Sequence, residues 1–192
     1  VLKMAAREFW LKGVRLSFPD LFEATQVQGQ GAHAYRATLL VEAGDKQKAV
    51  VDALIKEMAT EEWKAKADKI LADILVDKKA CCWIDGDRRD YDGYSGNWAL
   101  SVSRKQDKGR PTIVDRDRSP LTEKDGKPYA GCYVNAKLQL WTQDNQHGKG
   151  IRCELLGIQF AKDGDAFAGG TKAAGADEFE DLGAGADADA MC

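Results

Sequence analysis

Residues 133–141 alternate without a break. Val134, Ala136, Leu138 and Leu140 form one apolar row, and Tyr133, Asn135, Lys137, Gln139 and Trp141 form the other. A period of two over this length is the spacing of a half-buried strand, and it lies inside a longer strand-like run, 129–143 (YAGCYVNAKLQLWTQ). One such strand cannot cover its own apolar row, so the chain must supply partners. Candidates are WLKGVRLSF (10–18), with Trp10, Val14, Leu16 and Phe18 on one side and Pro19–Asp20 as a stop, and AYRATLLVE (34–42) after the loop QVQGQGAH. Further on come NWALSVSRK (97–105), RPTIVD (110–115) and IRCELLGIQFA (151–161), separated by Gly-bearing turns at QDKG, EKDGKP and DNQHGKG.

One block breaks this pattern. Val50, Leu54 and Met58 recur at helical spacing over 46–59, and Trp63, Ala67, Ile70, Leu71, Ile74 and Leu75 do so over 61–76. An apolar stripe among Lys and Glu is the mark of helices packed by one side. Many short strands with Gly turns and one helical block predict a mainly β fold, an OB-like Greek-key barrel over 7–162 with a helical insertion at about 45–77.

Charge divides the chain near residue 163. Up to Lys162 there are 27 Lys/Arg against 23 Asp/Glu; from Asp163 onward there is one base, Lys172, against eight acids. A body of formal charge +4 with a tail of −7 suggests a polyanion binder that carries its own polyanion mimic. The tail 163–192, rich in Gly and Ala, has too few large apolar groups to offset ordering entropy, so disorder is expected there. No run approaches the ~18 apolar residues of a membrane helix, and no charged-then-apolar leader is present. A cytoplasmic protein without a membrane partner is expected. The five cysteines, at 81, 82, 132, 153 and 192, have neither framework nor metal-ligand spacing and read as free thiols.

Three groups suit a nucleic-acid strand. The outward row Tyr133, Asn135, Lys137 and Trp141 offers rings for stacking, donors between them and a cation for phosphate. The loop DGDRRDYDGYSG interleaves Arg88 and Arg89 with Tyr91 and Tyr94; Arg pairs with phosphate or stacks on a base. Around the QDKG turn stand Arg104, Lys105 and Arg110. Trp98, in phase with Leu100 and Val102, belongs to the core. Asp85-x-Asp87 opens like a calcium loop, but Arg89 and Gly96 occupy positions where that loop needs oxygen ligands. No phosphate-binding glycine motif or nucleophile elbow is present, and no metal or other cofactor is called for. Two alternatives remain: a Mg²⁺-dependent nuclease using Asp85, Asp87, Asp90 and Asp92, and a structural or assembly protein whose aromatic row is a protein interface.

The segments GVRLSFPDLFEA (13–24), YDGYSGNWALS (91–101), RPTIVD (110–115), PLTEKDGKPYAGCYVNAKLQLWTQDNQHGKGI (120–151) and GIQFAKDGDAF (157–167) resemble the phage-encoded single-stranded DNA-binding proteins. The resemblance spans most of 13–181. It implies an OB-type barrel, non-catalytic and largely sequence-independent binding of single-stranded DNA, and a role in phage replication or recombination. It also implies an acidic tail that competes with DNA and recruits replication or recombination proteins, with self-association along the strand. Many such tails end in an aromatic residue, whereas this one ends Ala190-Met191-Cys192. Asp177, Glu178, Phe179, Glu180 and Asp181 are therefore the expected partner motif.

Overall fold

The computed structural model describes residues 6–167 and 178–183. Seven strands, β1 (Ala6–Val27), β2 (Gln30–Glu42), β3 (Trp83–Asp85), β4 (Asn97–Lys105), β5 (Thr112–Val114), β6 (Tyr133–Asn145) and β7 (Gly148–Lys162), follow the order β3-β4-β2-β1-β6-β7-β5. A parallel contact between Ser103 of β4 and Glu154 of β7 closes five of them, β1-β2-β4-β7-β6, into a barrel. The fold is mainly β with a helical insertion.

β1 makes the corner. Its first half pairs with β6 and its second with β2, and Arg15 is in register with both Tyr133 and Leu40. Away from the Ser103–Glu154 contact, the seam between β4 and β7 is filled by residues 80–82. Ile151 N–H donates to the Ala80 carbonyl at 2.9 Å, Cys82 N–H to Ile151 at 3.0 Å, and Ser101 N–H to Cys82 at 2.8 Å. This wedge buries Cys81 and Cys82, which, like Cys132 and Cys153, are free thiols. Cys192 lies outside the described residues.

The alternating row of β6 turns inward as expected: Val134, Ala136, Leu138 and Leu140 are fully buried. Trp83 and Leu100 join them at the centre. The insertion forms α1 (Lys46–Trp63) and α2 (Ala67–Leu75), parted by Lys64 at φ 49°. Asp45 caps α1 by accepting from Gln47 N–H at 2.8 Å. Its buried stripe is Val51, Ile55, Met58, Ala59 and Trp63, each large apolar side chain contributing about 1.5–3 kcal/mol. Val50, expected on that stripe, is 51% exposed, because the helix docks one residue further round. Indole N–H groups tie the insertion to the barrel: Trp63 donates to Asp144 at 3.0 Å and Trp83 to Asp52 at 2.8 Å.

Three sequence expectations about the first hairpin change. Val14 and Leu16 point inward, but Trp10 and Phe18 point outward, 53% and 54% exposed. Gly13, at φ 63°, accompanies a register shift between Leu11 and Val14, and one extra residue moves every earlier side chain to the opposite face. Phe18 itself sits at φ 46°. Pro19–Asp20 do not end the strand, which irregular pairing carries on to Val27, with Leu21 buried. The expected loop at 26–33 shrinks to the two-residue turn Gln28–Gly29, both at positive φ, as tight hairpins require.

Beyond Lys162 the chain continues as a strap. Asp163 accepts from the Tyr129 hydroxyl at 2.5 Å, Asp165 O from Arg15 Nη2 at 2.7 Å, and Phe167 N–H donates to Ala130 O at 3.1 Å. Phe167 is buried with Leu40, Tyr94 and Ala99. Tail residues 168–177 and 184–192 lie outside the described residues.

Candidate nucleic-acid interface

Phe18 is the centre of the site. A bulky side chain at positive φ is uncommon, and a backbone held there marks a functional constraint more often than chance. Here it turns the ring out of the barrel to meet Tyr91 edge to face, centroids 5.0 Å apart at 77°. Tyr94 lies 5.2 Å behind Tyr91 and 6.4 Å from Phe18. Tyr91 is half exposed, whereas Tyr94 is only 4% exposed. The Tyr94 hydroxyl bonds with Thr38 and Ser17, and burial pushes its pKa up. Tyr94 therefore supports the cluster from beneath and offers no open ring.

Two concavities meet at Phe18. One, of about 660 Å³, is aromatic, lined by Phe18, Tyr91, Tyr129 and Phe167, with Asp20, Asp90 and Asp92 around it. The other, of about 320 Å³, runs over the outer side of β2 and β4 toward the seam and is polar, with the cations Arg36, Lys78 and Arg152 outnumbering its one carboxylate, Asp20, and with Thr38, Ser101 and Ser103 between them. Arg36 is held in place by the backbone irregularity of β1, donating to the carbonyls of Thr25, Ala34 and Ala32. Arg152 Nε donates to Gln143 at 3.2 Å. The result is a groove with half-exposed rings at one end and cations along the other. In OB barrels the face of the second and third barrel strands, here β2 and β4, is the one that takes oligonucleotides.

The residues singled out in the sequence do not gather in one place. Of the loop residues, Tyr91 and Arg89 stand by the aromatic end, Arg89 close enough to favour the Tyr94 phenolate, and Arg88 is exposed on the same loop. Tyr133, Asn135, Lys137 and Trp141 lie on the outside of β6; Tyr133 shares a concavity with Leu40 of β2 and Asn97 of β4, and Trp141 is the cross-strand neighbour of Arg152, which lines the polar concavity. There Tyr133 is flanked by Lys162 at 4.6 Å and Arg15 at 5.8 Å. Asn135 accepts from Gly13 N–H at 2.9 Å and donates to Gln159. Lys137 pairs with Glu8 at 3.4 Å, and Trp141 is half-buried between Ala6 and Arg152 in the register. Arg104 is committed as well, its guanidinium bonded to Glu154 at 2.9 Å and to the Gly109 and Lys108 carbonyls. Lys105 is exposed, and Arg110 lies over Phe22 at 5.8 Å.

Phe18, Arg36, Lys78 and Arg152 were not legible as site residues. The one available signal was a large ring directly before Pro19, where regular pairing is hard to sustain. Of the four acids of the nuclease alternative, Asp85 and Asp87 accept backbone N–H groups, of Asp87 at 3.0 Å and Gly96 at 2.8 Å respectively, and Asp90 and Asp92 line the aromatic concavity. Among the described residues no three His, Cys, Asp or Glu side chains converge as a metal site, and no helix is long and apolar enough to cross a membrane. In the acidic motif, Glu178, Phe179, Glu180 and Asp181 are exposed; Asp177 lies outside the described residues.

Comparison with known proteins gives a consistent picture. The single-stranded DNA-binding protein of bacteriophage Enc34, solved in complex with ssDNA, superposes with a TM-score of 0.69 at 26% identity, covering 84% of this chain and 89% of that one. Phage T7 gp2.5, a single-stranded DNA-binding protein, shares the fold at 16% identity and a TM-score of 0.55, over 95% of this chain and all of that one. Protein p50 of Acyrthosiphon pisum secondary endosymbiont phage 1 is 47% identical over 174 residues, 90% of this chain and 92% of p50. The sequence model for the family described as "Enterobacter phage Enc34, ssDNA-binding protein" matches residues 8–191, and the chain belongs to that family.

Proposed function

We propose that this protein binds single-stranded DNA along the outer side of β1, β2 and β4, without catalysis and largely without sequence preference. The observation that carries the reading is the Phe18–Tyr91 pair, two half-exposed rings at the end of a cationic groove. Bases stack on these rings, and the backbone runs past Arg36, Lys78 and Arg152, away from Asp90 and Asp92. Arg88, Arg89, Lys105 and Arg110 extend the phosphate track at its ends. Tyr94 and Arg104 hold the groove in shape; of the β6 row, Trp141 borders it beside Arg152, and Tyr133, Asn135 and Lys137 lie outside its lining. Family membership and the Enc34 protein's complex with ssDNA support this assignment.

A body charge of only +4 gives a moderate salt dependence, since each neutralised phosphate releases counterions. Useful affinity then comes from copies side by side on the strand, in phage replication or recombination. The acidic tail competes with DNA for the groove cations at low salt, a competition that screening shortens to about 8 Å at physiological ionic strength, and its 177–181 motif recruits partner proteins.

Fluorescent oligo-dT and an equal duplex, titrated at two salt concentrations, test the reading. Tight, salt-sensitive binding of oligo-dT that weakens in Phe18→Ala supports it. Equal affinity for the duplex, or no effect of Phe18→Ala, refutes the stacking groove. Loss of oligonucleotide that EDTA prevents would favour the nuclease; self-association with no DNA binding would favour an assembly protein.

A further inference from the structure

Three thiols stand in the groove that neither stacking nor phosphate contact uses. Cys81 and Cys82 of the seam wedge and Cys153 of β7 all line the polar concavity of about 320 Å³, beside Lys78 and Arg152. Neighbouring residues of an extended strand send their side chains to opposite faces. Cys81 and Cys82 do not, because the chain bends at Cys82, between the bridge from Cys81 to Ile151 and the start of β3. A hydrogen bond joins their sulfurs.

The two sulfurs differ in character. The bond from Cys82, opposed by burial and helped by the Trp83 N–H and the Arg152 guanidinium, holds the Cys81 thiol below its usual range. That same bond, burial and the Cys153 sulfur push Cys82 up. Burial pushes Cys153 up as well. One thiol thus takes thiolate character, the form that attacks, and its sequence neighbour keeps a proton to give. Cys81 and Cys82 are only 2% and 6% exposed, so bulky reagents are shut out. A water takes ~30 Å³, so the cavity has room for a small peroxide.

We propose that the Cys81–Cys82 pair is an oxidation site for hydrogen peroxide, and that closing it to a disulfide loosens the DNA groove. The Cys81 thiolate attacks a peroxide oxygen: the S–O bond forms, the O–O bond breaks, and hydroxide leaves, taking up a proton as water. The Cys82 sulfur then attacks the Cys81 sulfenic acid. The S–S bond forms, the S–O bond breaks, and the Cys82 proton leaves with that oxygen as water. The sulfurs together lose two electrons, and the peroxide is reduced to two waters.

Closing this bond disturbs the seam. Adjacent Cα atoms are ~3.8 Å apart, short of the about 4.4–6.8 Å of ordinary disulfides, so the peptide between the two cysteines must turn. Its N–H is the group that bonds Ile151 O, and the carbonyl of Cys82 receives Ser101 N–H. Ile151 precedes Arg152, and Arg152 and Ser101 both line the groove. Strained disulfides are also the readily reduced ones, so the change is reversible. Its effect on DNA rests on the groove assignment above, whereas the chemistry at sulfur does not.

The test treats the full chain, without DNA, with hydrogen peroxide, then blocks free thiols with iodoacetamide and digests with trypsin. The tryptic peptide 80–88, which holds Cys81 and Cys82, is expected to lose two hydrogens and take no alkyl group. In Cys82→Ser, dimedone should label Cys81 instead. Oxidised protein should bind oligo-dT at least about fivefold more weakly, dithiothreitol should restore binding, and Cys81→Ala should be insensitive to peroxide. Oxidation confined to Cys132, Cys153 or Cys192, or a disulfide in 80–88 without loss of affinity, would overturn the proposal. Reduced protein that already fails to bind oligo-dT would refute the groove and the loosening with it, while the mass of peptide 80–88 still decides the oxidation site.

Discussion

The ring of Phe18 stands edge-on to that of Tyr91, centroids 5.0 Å apart, on a backbone turned to φ 46°. Two residues far apart in sequence thereby make one wall, and the wall is half open to solvent.

Base stacking on an aromatic side chain contributes about 1–3 kcal/mol. Phe18→Ala and Tyr91→Ala should each weaken oligo-dT binding by roughly 5- to 150-fold on that scale, with unchanged circular dichroism. Tyr94→Ala should behave differently. Removing a buried ring costs about 3 kcal/mol or more of folding stability, so thermal unfolding should shift before affinity is separately affected. Fluorescence anisotropy and melting curves on the three variants distinguish wall from support.

Arg104 and Lys108 grip the two oxygens of Glu154, each at 2.9 Å, where β4 meets β7. Losing the Arg104 bonds should cost about 2 kcal/mol, the scale of hydrogen bonds to charged groups. Arg104→Met should therefore lower the melting temperature by roughly 4–8 °C for a domain of this size, while leaving the salt slope of DNA binding unchanged. A slope reduced by one phosphate would instead make Arg104 a DNA contact.

The strap depends on a missing side chain. A Cβ on Gly131 would come within 2.1 Å of Asp165 O, and Gly131 also sits at φ 103°. In Gly131→Ala the strap should lift, exposing the bond after Lys162 to trypsin. Limited proteolysis should show faster cleavage there than in the parent protein; equal rates would mean the strap is held by other contacts.

Burial, and then the bond to Asp163, push the Tyr129 hydroxyl up to about pKa 12 from its usual 10. The folded protein holds this proton more tightly than the unfolded chain. Its contribution is thus complete below pH 10 and is lost as pH rises through about 12. Denaturant titrations at pH 9 to 12 should show a steeper loss of stability in the parent protein than in Tyr129→Phe, with phenolate absorbance marking the titration.

Much of the barrel was legible because its signals are local. Val134 to Leu140 alternate at the strand period, Leu54, Met58 and Trp63 recur near the helical one, and Gly-bearing turns separate the strands; local sterics and burial act on neighbours in the chain. The proposed binding surface was less legible. Tyr133, Lys137 and Trp141 have the composition of a stacking face; in the barrel Lys137 pairs with Glu8 and Trp141 stands beside Arg152 at the end of the proposed groove. Tyr91 and its loop arginines were visible by composition, whereas Phe18, Arg36, Lys78 and Arg152 were not.

The sequence by itself determined the strand and helix pattern, the inward row of β6 and the charge break near residue 163. Tertiary structure alone decided which outward side chains share a groove. Facing in a strand reverses with each extra residue, so the backbone turns at Gly13 and Phe18 set where Trp10 and Phe18 point. Whether a polar ring or a cation is available depends on partners distant in sequence. Phe167 helps bury Tyr94, and Glu154 engages Arg104, and only closure of the barrel brings these pairs together.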